Sequence, residues 1–164
     1  MVETQKDPFE EASWGALRYK AAGERIVNRA LGVMNSLGKM FPSAEAASPK
    51  LDFVPGGELP ILGEFVTPLG SAEVRLLLSF GVAARPHDHD PLYGTIVVFT
   101  QEPGSVETRF RQVDWCVDVS QYDAVTARSG GYQRELAGHQ VGHFSDMNYY
   151  QSGMALYRAI VEVK

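Results

Sequence analysis

After residue 50 the chain is cut by proline- and glycine-bearing turns into apolar runs too short for helices, and this punctuation limits the fold more than any other feature. Turn sequences at 55–57, 68–71, 103–105 and 129–131 separate candidate strands at 61–66, 73–79, 93–100, 106–115, 121–126 and 154–163. The runs 76–80 and 96–99 are almost wholly apolar, as expected of strands covered on both faces. Residues 106–115 alternate in part, with Thr108, Phe110 and Gln112 set against Glu107, Arg109 and Arg111. Short strands at this spacing predict a sandwich or barrel. The 16 glycines and 9 prolines support that reading over a helical bundle.

Residues 1–45 carry a different period. Ile26, Ala30, Val33, Met34 and Leu37 recur at three- and four-residue spacing, continued by Met40 and Phe41. A shorter helical stretch is expected at 9–20, using Trp14, Leu17 and Ala21. The segment PSAEAASP at 42–49 reads as a linker. The expected layout is thus a helical segment at 1–45, packed on the outside of a barrel at 46–164, within one domain. A chain of 164 residues, 45% hydrophobic, is large enough to bury a core without staples.

Net charge is −5 and no basic cluster exists, which argues against a nucleic-acid partner. No run of 18 apolar residues is present, so no membrane span is expected. The polar start MVETQKDPFEE does not read as a signal peptide, and Cys116 is the one cysteine. A cytoplasmic setting is the expectation.

The chemistry concentrates in four histidines, His87, His89, His139 and His143. On a strand, residues two apart share a face, so His87 and His89 would offer two imidazoles to one divalent ion. The second pair lies about fifty residues on. One of this pair, His139 or His143, would supply a third ligand. Cys116, beside Trp115, reads as a small core hydrophobe rather than a nucleophile.

The run Gly81-VAARP-His87-Asp88-His89 places five residues between a glycine and HxH, and so resembles the first motif of the cupins. LAGHQVGHFSD, holding His139, resembles the second. Gly94 stands where many cupins carry a glutamate ligand. That absence, the strand YGTIVVF, RFRQVD, the HQV at His139 and the ending GMALYRAIVEV resemble the cysteine dioxygenase branch. The resemblance covers residues 73–163 and implies a mainly β fold: a double-stranded β-helix, or jelly-roll-like cupin barrel, behind an N-terminal helical segment.

The resemblance further implies an enzyme, a mononuclear iron(II)-dependent dioxygenase. It would bind a small-molecule thiol and dioxygen and yield a sulfinate. The metal ligands would be His87, His89 and His139. Tyr157 would hydrogen-bond the reactants, and Arg109 or Arg111 would face the barrel interior and hold an anionic substrate. A homodimer is the expected assembly. The chain departs from the branch at three points. Residues 62–67 lack the arginine that holds cysteine's carboxylate, with Arg75 and Arg85 the nearest. Ala155-Leu156-Tyr157 keeps the tyrosine but not the preceding histidine, and Gly94 cannot form a cysteine–tyrosine crosslink. These departures point away from cysteine itself as substrate. Two other readings stand beside this one. In the first, zinc, nickel or manganese acts as a Lewis acid in isomerisation or hydrolysis. In the second, the barrel binds a small ligand without catalysis.

Overall fold

The computed structural model describes residues 8–40, 51–68, 70–86, 90–102, 109–122, 125–137 and 144–162. A long helix, α1 (Pro8–Met40), is followed by seven strands and a second helix. The strands are β1 (Asp52–Pro55), β2 (Ile61–Thr67), β3 (Gly70–Phe80), β4 (Leu92–Gln101), β5 (Phe110–Val119), β6 (Val125–Ser129) and β7 (Tyr132–Ala137). The chain then enters α2 (Phe144–Val161). Every neighbouring pair is antiparallel, and the strands lie in sequence order in a single sheet. The sheet curls into a half-barrel. A jelly roll would exchange strands between two sheets; among the described residues the connections are all to the next strand. Where β6 meets β7 the link is two residues, Gly130 and Gly131, with φ of 57° and 80°. Only glycine enters that mirror-image turn without strain, and its twist matches the strands.

Both helices pack on one face of the sheet, within the curl rather than outside a closed barrel. The predicted stripe of α1 is the reason. Ile26, Ala30, Met34 and Leu37 have no exposed surface, and Ala22 and Val33 are nearly as buried. The sheet meets them with Phe65, Val74, Leu76, Ile96, Val98, Trp115 and Val117. Burial of each large side chain contributes roughly 1.5–3 kcal/mol, so this seam is the main source of stability. The two helical stretches expected at 9–20 and 26–41 are one helix of 33 residues, about 50 Å long at 1.5 Å per residue.

The strands expected at 61–66, 73–79 and 93–100 correspond to β2, β3 and β4. The others need correction. The stretch 106–115 is shifted, since β5 begins at Phe110 and continues to Val119. The interval 121–126 is mostly the β5–β6 connection, with β6 starting at Val125. The expected strand at 154–163 falls largely in α2. There Tyr149, Ser152, Leu156 and Ile160 are buried, with Gly153 beside Ser152, at a spacing of three and four, and that period outweighs the brief apolar–polar alternation near the end. The runs 76–80 and 96–99 are not covered on both faces throughout. Leu77, Leu78 and Phe80 keep 47%, 46% and 61% of their surface exposed, because among the described residues no second layer covers the outer face or the sheet's end. Val97 is the exception. It is buried on the outer face, between Arg75 on β3 and Cys116 on β5.

Candidate functional site

The ladder defines two ends of the sheet. Phe80 pairs with Leu92, Gly94 with Val119, Asp118 with Thr126 and Val125 with Ala137. The connection from β3 to β4 and the segment leaving β7 therefore emerge at the same end. Residues 81–91 form the first. Its legs are tied together by Gly81 N–H donating to the Pro91 carbonyl (2.8 Å) and Ala83 N–H donating to Asp90 Oδ1 (3.0 Å). His87 and His89 belong to this connection, and His139 and His143 to the link between β7 and α2. All four histidines lie outside the described residues. Three strand spacings separate β4 from β7, about 14 Å in a flat sheet, and the curl shortens that path. The HxH pair belongs to the connection between two strands, since β3 ends at Phe80 and β4 begins at Leu92. Among the described residues no three His, Cys, Asp or Glu side chains gather into a metal-binding group.

Other residues named from the sequence lie elsewhere. Arg109 and Arg111 do not face an interior. Both are exposed at the opposite end, where Arg111 pairs with Thr100 and Phe110 with Gln101. Strand β5 turns Val113, Trp115 and Val117 inward, so its start lies beyond the core. Tyr157 is a half-buried helical residue packed against the core, about 20 Å along α2 from the histidine-bearing end. Arg75 lies on the outer face, ion-paired with Glu73 and with its guanidinium 4.8 Å from the centre of the Phe99 ring. Arg85 is exposed on the β3–β4 connection.

Gly94 has a packing explanation that the sequence did not reveal. A Cβ there would lie 2.6 Å from Ile26 Cγ2 and 2.9 Å from Leu76 Cδ1. Helix α1 crosses β4 at this point, and the space where a cupin-like acid would project is occupied by Ile26. A metal held by these histidines would sit at the end of the sheet, because the inside of the curl is packed side chain.

Two cations at the histidine end were missed. Arg29 Nη1 donates to the Ser120 carbonyl. Arg25 Nη1 donates to Gln121 Oε1 at 3.2 Å, with its guanidinium 5.5 Å from the Tyr122 ring centre. Their signal was present in the sequence: they flank Ile26 and stand four apart, which sets both on one side of α1.

Cys116 faces the outer side of β5, half-buried beside Arg128 and Asp118. Burial pushes its thiol above the ordinary value. Arg128 pulls it back in part, and Asp118 and Asp114 add to the rise. A raised thiol holds less thiolate at neutral pH and reacts slowly. Iodoacetamide at pH 8 is expected to alkylate Cys116 several-fold more slowly in the folded protein than in urea. Arg128→Gln should slow it further, because it removes the one opposing charge; a faster reaction in that variant contradicts the assignment. The sign for stability follows. A folded pKa above the unfolded one favours the protonated native thiol, so this contribution is complete below the unfolded pKa and is lost as pH rises through the folded one.

No helix among the described residues is long and apolar enough to cross a membrane. The chain matches no protein-family model, no curated protein and no solved structure.

Proposed function

We propose that the chain binds one divalent metal ion at the histidine-bearing end of the sheet, through His87, His89 and His139, with His143 the alternative third ligand. The observation that carries this is the ladder register, which sends both histidine-bearing connections out of the same end. The donor set fits. Three neutral imidazoles suit iron(II), zinc, nickel or manganese, and they leave coordination positions open. Bound iron(II) would supply a centre where a thiol and dioxygen meet, and the reading is thiol oxidation to a sulfinate. The chain's own residues would do the positioning. Asp90 ties down one leg of the His87–His89 connection through the Ala83 amide. Arg25 and Arg85, rather than Arg109 or Arg111, are exposed cations at the correct end to attract an acidic thiol, and Arg25 is the one that the Gln121 amide oxygen holds in place.

The test is oxygen uptake by protein loaded anaerobically with iron(II), in the presence of small thiols. Iron-dependent uptake with a sulfinate product is expected. Arg25→Gln should raise KM for an acidic thiol about tenfold while leaving KM for a neutral thiol unchanged, since a charge-assisted contact is worth about 1.5–3 kcal/mol. Uptake that proceeds equally without iron would overturn the reading. Metal-dependent isomerase or hydrolase turnover without oxygen would replace it with the Lewis-acid reading.

A further inference from the structure

A groove of about 280 Å³ opens between α2 and the β6–β7 hairpin. Its apolar lining is Trp115, Ala127 and Ala155, with the nearly buried Trp115 and Ala127 forming the floor. The Trp115 ring is fixed: Nε1–H donates to the Ser152 carbonyl at 3.1 Å, and the residue is 2% exposed. The polar lining includes Arg134, Gln151 and Tyr132, and no carboxylate among the described residues contributes to it.

The two arginines of the groove differ. Arg128 is neutralised by Asp118, with Nε 2.6 Å from Oδ2 and Nη2 3.0 Å from Oδ1. Among the described residues Arg134 is held by neutral acceptors, Nε–H donating to Gln151 Oε1 at 3.1 Å and Nη1–H to the Gln133 carbonyl at 2.9 Å. These bonds use two of the five guanidinium N–H donors, and no carboxylate among the described residues pairs with the charge. The hairpin beneath it is braced to the helix, since Asn148 Nδ2–H donates to the Glu135 carbonyl at 2.8 Å. A positioned, unneutralised guanidinium at the mouth of a small apolar groove matches a carboxylate carried on a flat apolar body.

We propose that this groove binds a small aryl-bearing carboxylate, with the carboxylate on Arg134 and the apolar body against Trp115, Ala127 and Ala155. The site is independent of the histidines and of any metal they hold. The probes are 3-phenylpropionate and its uncharged amide, titrated calorimetrically into the full chain. Indole fluorescence is followed in a Trp14→Phe background, where Trp115 is the remaining tryptophan. The acid is expected to bind and to change Trp115 emission, and the amide to bind at least tenfold more weakly. Arg134→Gln, a change at an exposed position that should leave the fold intact, should weaken the acid at least tenfold and leave the amide unchanged. His87→Ala should alter neither. Equal binding of acid and amide, indifference to Arg134→Gln, heat of binding without any change in Trp115 emission, or no binding of either probe would each overturn the proposal.

Discussion

Gly94→Glu is expected to leave the protein largely unfolded. The position is buried, and even the first side-chain carbon would press on Ile26 and Leu76 at 2.6 and 2.9 Å. Overpacking of this kind costs about 1–3 kcal/mol. An unpaired carboxylate beneath α1 adds several more, as a buried charge without a partner does. The sum approaches the whole stability of an ordinary domain, roughly 5–15 kcal/mol. The measurement is circular dichroism with urea unfolding, beside Gly94→Ala, which should lose only the overpacking part. Replacing Ile26 by Ala should reduce the cost of Gly94→Ala, because the clashing Cγ2 is gone; this coupling identifies the crossing point of α1 as the cause. A folded Gly94→Glu with an unchanged unfolding midpoint would mean that α1 does not lie on β4 in this way.

Trp115→Ala should destabilise by about 3–5 kcal/mol, the range for deleting a buried aromatic. For a chain of this length that lowers Tm by roughly 10 °C. Two effects combine. The ring sits in the common core of sheet and helices, and its Nε1–H satisfies the Ser152 carbonyl on α2. Trp115→Phe keeps most of the packing but not that bond, and should cost clearly less. The comparison separates packing from the hydrogen bond. Equal, small losses in both variants would show that α2 is not anchored through this residue.

What could be read from the sequence follows from how each element hides its apolar atoms. The buried stripe of α1 is strongly periodic, and Ile26, Ala30, Met34 and Leu37 all reach the core as the spacing implied. Strands β2, β3 and β4 were legible for the same reason, being apolar on the inward face. Strands β1 and β7 were not legible. They form the two edges of the sheet, and residues such as Tyr132, Gln133, Arg134 and Glu135 are exposed, so they carry little apolar pattern. Helix α2 was misread because Leu156, Tyr157, Ala159, Ile160 and Val161 make a β-like cluster when taken alone; only Tyr149 and Ser152, two turns and one turn before Leu156, establish the helical period.

The candidate site was partly legible. The two histidine clusters were visible as composition, and their emergence at one end of the sheet depends on the number of intervening strands. That number could not be counted while β7 was missing. Gly94 illustrates the limit most clearly. Its lack of an acid resembled a family trait, whereas the structure supplies a reason in the close approach of Ile26. The placement of Arg109 and Arg111 at the far end has a similar origin, since a four-residue error in the start of β5 shifted which part of the strand faces the core.

The most direct test of the metal site is iron content by mass spectrometry. It would compare wild-type protein with His87→Ala, His139→Ala and His143→Ala, each loaded anaerobically with iron(II) and desalted. The account predicts close to one iron per chain in wild type and in His143→Ala, and loss in the other two. Loss in His143→Ala with retention in His139→Ala would transfer the third ligand to His143. A wild-type protein that retains no divalent metal, or retention unaffected by both His87→Ala and His139→Ala, would contradict a metal site at this end of the sheet.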